Sequence, residues 1–255
     1  MCLVDDICRK EGIRYFLDSG TAIGAARERG FVPWDDDVDL KVLREDYPAF
    51  REAMLKNLPE GYRFVEPLDF APHFFVFASR IIRTDFPLRE ETDEDRYYGN
   101  LQNRLGLDVF VFERAPASAL ARRRMAFETK LIYGLAMGKR YAVKSDRYTL
   151  SQKLAVAILR TLGRPFSMEW CWRQQQRIAR RYEHRPAAYR FPANYPLSFL
   201  VFVPESAYTD TVFLPFRDRK LPMPSGYDTE LSLIYGDYMH PPKDRSIYIQ
   251  HAQLD

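Results

Sequence analysis

Between Asp37 and Val42 the chain alternates without a break. Asp37, Asp39 and Lys41 fall in one phase, and Val38, Leu40 and Val42 in the other. A period of two predicts a β-strand with one buried apolar side and one charged side. What precedes it makes the constraint sharper. In "FVPWDDDVDL", Phe31 to Leu40, aspartates stand at 35, 36, 37 and 39. Neighbouring carboxylates repel and resist desolvation. A strand that crowds this much negative charge beside apolar residues needs something positive close by.

A second segment, "GLDVFVFE", is entered through Gly106 and alternates in the same way. Asp108, Phe110 and Phe112 share one phase; Leu107, Val109 and Val111 share the other. On the first strand Asp37 and Asp39 stand about 6.5 Å apart on one face. Asp108 projects from the second. Three carboxylates from two adjacent strands suit one or two Mg²⁺ ions, with Mn²⁺ as the substitute, because hard cations take oxygen ligands and substrate phosphates. Paired ions about 4 Å apart bridge phosphate oxygens and activate a hydroxyl. Phosphoryl-type transfer asks a protein mainly for positioning and charge neutralisation.

A phosphate cradle fits nearby. "IRYFLDSG" reads as a strand ending at Gly20, and "TAIGAARERG" as a helix start with Ser19 as its cap. Free N–H groups and the helix dipole favour an anion there. Gly20 lets the backbone approach closely. Ser19 and Thr21 offer hydroxyls, and Arg27, two turns along, can pair with phosphate or neutralise the acids. Each piece also has an ordinary reading. An "SGT" turn is common, Arg27 suits a surface, and Asp108 suits a strand end. Asp35 and Asp36 either orient water or serve structure. Trp34 packs under the acidic loop or stacks on a ligand. The stretch is not an EF-hand, since Leu40 stands where that loop needs glycine.

The 255 residues suit one large domain or a core with an insertion. The order of elements predicts an α/β (α+β) class: a mixed sheet flanked by helices, interrupted by a helical stretch. Three parts are expected: a catalytic core over 1–116, a basic helical subdomain over 117–190, and a segment over 191–255 that completes the core. Net charge is only +3, yet Arg114 to Arg190 carries 18 Lys/Arg against 4 Asp/Glu, and the rest carries 20 against 31. That middle suits solvated helix faces or an anionic partner such as a membrane, a polyanionic glycan or nucleic acid. No nucleic-acid recognition motif accompanies it. Cys2, Cys8 and Cys171 form no metal-spaced pair, which argues against zinc and for a reducing compartment.

"FLDSGTAIGAARERGFVPWDDDVDL" resembles the signature of the LicD family, within the polymerase-β-like nucleotidyltransferase superfamily. "LDVFVFE" and "YGDYMHPP" resemble later motifs of that family, and the likeness runs from about Asp5 to Pro242. The resemblance implies a nucleotidyltransferase-like mixed sheet, and metal ligands Asp37, Asp39 and Asp108. It implies transfer of a phospho-substituent from a CDP-linked donor to a glycan hydroxyl. In bacterial relatives this is phosphocholine from CDP-choline, placed on teichoic acid or lipopolysaccharide; fukutin-related members use CDP-ribitol, and fungal ones are associated with mannosylphosphate. Relatives with a cysteine-bound zinc loop are not matched.

The expectation is therefore a Mg²⁺-dependent phosphotransferase that releases CMP. Its partners would be a CDP-linked donor and an anionic or lipid-linked glycan acceptor. Two alternatives stand beside it: a nucleotidyltransferase releasing pyrophosphate, and a non-catalytic glycan-pathway partner on the same fold. No apolar run approaches the roughly 20 residues that span a bilayer, and the start does not read as a signal peptide. A cytoplasmic protein is expected, with peripheral contact at the inner face of the membrane through 117–190.

Overall fold

The computed structural model describes residues 1–35, 37–86, 90–143, 148–194 and 200–241. Asp36 and Pro242, named above, lie outside the described residues. The chain opens with α1 (Cys2–Glu11), β1 (Phe16–Leu17) and α2 (Ser19–Ile23), which runs on into a wider π-type turn over Gly24–Glu28. Next come β2 (Asp39–Leu43), α3 (Tyr47–Asn57), β3 (Tyr62–Val65), β4 (Ser79–Arg83), α4 (Asp93–Tyr97) and β5 (Gly106–Ala115). Three helices follow: α5 (Ala119–Ala136), α6 (Leu150–Gly163) and α7 (Met168–Ala179). β6 (Tyr189–Pro192), β7 (Val203–Pro204), β8 (Thr211–Phe216), β9 (Arg219–Pro224) and α8 (Tyr227–Tyr235) complete the elements of the described residues.

The architecture is a mixed sheet flanked by helices. Its strands run in the order β1-β2-β5-β4-β3. β2 and β5 pair in parallel, while β1, β4 and β3 join antiparallel. β5 is ten residues long, so its second half also carries β6. The phase containing Leu40, Val42 and Val109 packs with α1, α3 and the β8–β9 hairpin. The opposite face packs Phe16, Leu43, Phe110 and Phe112 against Val203, Ala207 and Tyr208.

Three local expectations change. All five residues of β2 are buried, so its charged phase does not face solvent. β2 lies between two strands, and the segment around Tyr208 covers its polar side. Ser19 is not the helix cap: Asp18 takes that place with extended backbone, and Ser19 is the first helical residue. "HFFVFASRIIR" is a strand only from Ser79. Before that, Phe74 and Phe77 leave the sheet to fill a cluster with Ile132 and Tyr133 of α5 and Cys171 of α7.

One buried arginine ties distant parts of the sheet together. Arg190 on β6 is 2% exposed at its side chain. It donates to Glu45 at 2.6 and 2.7 Å and to Glu205 at 2.6 and 2.7 Å. Burial raises the Glu45 carboxyl, but the Arg190 bonds and charge outweigh it and hold it down at about 2, against an ordinary 4.5. A depressed folded value stabilises the native state above the unfolded value and loses that contribution as pH falls. Melting temperature should therefore fall as pH drops from 4.5 toward about 2, and Glu45→Gln should flatten that part of the profile. Parallel pH–melting curves of the two proteins check this; superimposable slopes would contradict it.

Candidate active site

The strand registers draw one row across the sheet. Asp39 on β2 lies opposite Asp108 on β5, and Asp108 lies opposite Arg80 on β4. The β1–β2 register pairs Leu17 with Leu40, so one residue further Asp18 meets Asp39. Neighbouring strands are about 4.8 Å apart. Asp18, Asp39, Asp108 and Arg80 thus stand side by side on one face. The backbone fixes this placement. Asp18 N–H donates to the Asp39 carbonyl at 3.0 Å, and Asp39 N–H donates to Thr21 Oγ1 at 3.0 Å. Asp108 N–H donates to the Val38 carbonyl at 2.9 Å, so pairing reaches the residue beside Asp37.

The row is short of positive charge. Asp39 is buried, and burial first, then the charges of Asp37, Asp108, Asp18 and Asp35, push its carboxyl well above the usual range. Arg80 Nε donates to Asp108 Oδ1 at 2.6 Å and so compensates one end. Asp37 stands exposed just before β2. Among the described residues no three metal-type side chains are gathered into a finished metal site. The donor chemistry nonetheless fits a hard divalent cation: every candidate ligand is a carboxylate, and the raised Asp39 carboxyl marks an unmet need for positive charge.

The turn before α2 forms one wall. Ser19 has φ 47, a left-handed backbone uncommon outside glycine and characteristic of strained functional turns. Tyr235 of α8 makes a side-chain hydrogen bond to Ser19. A Cβ on Gly20 would overlap the Asp35 carboxylate, so any side chain there would make Asp35 turn aside. An anionic group therefore rests over the Gly20 backbone. Thr21 is buried, and its hydroxyl serves Asp39. Arg27 turns elsewhere: its Nε donates to Glu28 at 2.7 Å and its Nη1 to the Tyr238 carbonyl at 2.6 Å. Its guanidinium also lies 5.6 Å from the Trp34 ring centre.

Below the acid row lies a buried ion cluster. Lys41, two residues after Asp39, is 1% exposed. Its Nζ is 2.9 Å from Asp18 Oδ1 and also bonds Glu230 of α8. The Phe112 ring centre lies 4.9 Å from the ammonium. Burial would lower the lysine, but Asp18 and Glu230 outweigh it and hold Lys41 charged. Sequence reasoning placed Lys41 on a charged strand face and missed Asp18, Arg80 and Glu230. A lysine inside "DVDLKV" was the available signal, since a buried ammonium must find carboxylates. Elsewhere, Tyr97 and Tyr98 pack against His73, while Trp170 stacks on Phe166 and Trp172 on Phe77.

Comparison with known proteins gives a likeness over the segment that holds these residues. Residues 12–117, which hold Ser19, Asp39, Arg80 and Asp108, match the LicD/FKTN/FKRP nucleotidyltransferase domain. Over 97% of its length the chain is 24% identical to the lipopolysaccharide cholinephosphotransferase LicD of Haemophilus influenzae, spanning 90% of that protein. Residues 12–117 thus resemble a LicD-family domain, and the weaker likeness to LicD runs along nearly the whole chain. Two mammalian proteins match over shorter stretches. Human ribitol 5-phosphate transferase FKRP is 51% identical over 35 residues, 14% of this chain and 7% of that protein. Mouse ribitol-5-phosphate transferase FKTN is 32% identical over 100 residues, 37% of this chain and 21% of that protein. The matched LicD domain ends just after β5, so Glu230 and Tyr235 reach the site from outside it.

Two outcomes follow from the charges. Lys41→Met leaves Asp18 and Glu230 buried against each other, and should cost about 3–5 kcal/mol in urea unfolding. Adding Glu230→Gln to Lys41→Met should recover part of that loss. Asp39→Asn removes a buried, repelled carboxylate but keeps both backbone bonds, so it should raise the melting temperature measured without divalent cations. A fall would show that Asp39 stabilises the fold.

Proposed function

We propose that this protein is a Mg²⁺-dependent transferase that moves a phospho-substituent, phosphocholine first among them, from a CDP-linked donor to a hydroxyl of a cell-surface glycan, releasing CMP. Teichoic acid, lipopolysaccharide and similar polymers are the acceptor class. The observation that carries this is the row of Asp39 and Asp108 beside the Ser19–Gly20 turn, in a chain similar along nearly its whole length to a lipopolysaccharide cholinephosphotransferase. The ribitol-phosphate transferases matched over shorter stretches support the same reaction type.

Asp37, Asp39 and Asp108 would hold the cation. When bound, Mg²⁺ neutralises the donor diphosphate and stabilises charge on the transferring group. The protein's own groups supply the rest. The Gly20 backbone, which now carries the Asp35 carboxylate, takes the diphosphate, with the Ser19 hydroxyl beside it. Thr21 positions Asp39 through its backbone N–H. Asp108 accepts the proton of the acceptor hydroxyl, and Arg80, bonded to it, fixes the direction in which its carboxylate points. The acceptor oxygen forms the new bond to the distal phosphorus as the bond to the CMP oxygen breaks. Arg27 serves by tying the end of the α2 segment to Tyr238 rather than by touching donor.

A second reading is nucleotidyl transfer, since the matched domain carries that description. The released product separates the two. Incubation with CDP-choline or CDP-ribitol, Mg²⁺ and a glycan acceptor should release CMP. Asp37→Ala and Asp39→Ala should each lower turnover by at least about 100-fold. Pyrophosphate release from a nucleoside triphosphate would favour the second reading. Full activity in both variants would refute the metal assignment.

A further inference from the structure

Helix α6 presents its most apolar side away from the protein. Its contacts with α5 run through Leu159, which meets Gly134, and Gly163, which meets Leu135. Leu150, Leu154, Ile158 and Leu162 recur every four residues on another side, a stripe along one helix face. These four are 85%, 63%, 50% and 58% exposed. On α5, Leu120, Phe127 and Leu131 are also exposed. They share a side with Gly134, at spacings of seven, four and three residues, so the α5 stripe leads to its contact with α6. Ordinary surfaces carry single exposed leucines, not rows of them.

Charge identifies the occupant. α6 contains Lys153 and Arg160 and no acidic residue, and exposed Arg123 and Lys130 stand on α5. A second copy of this face would set like charges against each other. An anionic lipid surface accepts both features: leucines enter the acyl boundary while lysines and arginines meet the headgroups. α6 has 14 residues, about 21 Å at 1.5 Å per residue, too short for a hydrocarbon core of about 30 Å. Among the described residues no helix is long and apolar enough to cross a membrane. We infer that α5 and α6 form a membrane-docking face that lies in the plane of an anionic phospholipid surface. This goes beyond the proposed reaction and stands whichever donor is used.

Co-sedimentation of the full chain with phosphatidylcholine vesicles, with and without phosphatidylglycerol, tests the inference. The wild type should partition onto the phosphatidylglycerol-containing vesicles at least about tenfold more strongly than onto neutral ones, and less as salt rises. The Leu150→Gln/Leu154→Gln/Ile158→Gln/Leu162→Gln variant should lose at least about tenfold in partitioning, and so should Lys130→Glu/Lys153→Glu. All six side chains are exposed, and circular dichroism verifies that both variants remain folded. Equal partitioning of the wild type and the leucine variant would overturn the inference. So would absence of binding to either vesicle. A wild-type dimer in light scattering that the leucine variant dissolves, without vesicle binding, would assign the face to a second copy and overturn it as well.

Discussion

The Lys41 ammonium must be matched by carboxylates because it is buried under Phe112 and Tyr208. An unpaired charge there would be too costly to keep. Its two partners come from opposite ends of the chain: Asp18 from the end of β1, and Glu230 from α8. Satisfying this one group therefore fixes the β1–α2 turn against β2 and brings α8 onto the sheet. Once α8 is there, Tyr235 reaches Ser19 and the Tyr238 carbonyl receives Arg27. The geometry of the acid row depends on that arrangement.

Two residues away, the same strand has the opposite character. Lys41 is saturated with counter-charge, whereas Asp39 is surrounded by like charge. A protein selected for stability alone would not keep this contrast, and groups driven away from their ordinary titration cluster at working sites. Arg80 limits the imbalance at the Asp108 end only. The strained Ser19 backbone adds to the cost, and is held in place by the bonds around it.

Much of this could be read from the chain. Asp39 and Asp108 were legible because each sits in the polar phase of an alternating strand, and adjacent strands bring such residues together. The helical middle was legible from its long apolar periodicity. The partners of Lys41 were not, because they depend on pairings between segments far apart in sequence. Alternation was misleading for β2, since it separates polar from apolar phases but does not say whether the polar phase meets water. In α6 periodicity marks a leucine stripe but not where it points, and the packing of Leu159 and Gly163 on α5 shows that it points outward. Asp18 carried too ordinary a setting, a single acid before a turn, to be singled out.

The separation between Lys41 and Glu230 also governs the order in which the molecule can assemble. The two lie 189 positions apart, so a chain emerging from the ribosome holds β2 long before α8 exists. Until then one carboxylate that shields the lysine is missing, and the polar side of β2 cannot be sealed from water. Contacts of such long sequence separation form late and slow the search for the native state. The Lys41 cluster beneath the acid row is thus complete only when α8, the last helix among the described residues, docks on the sheet.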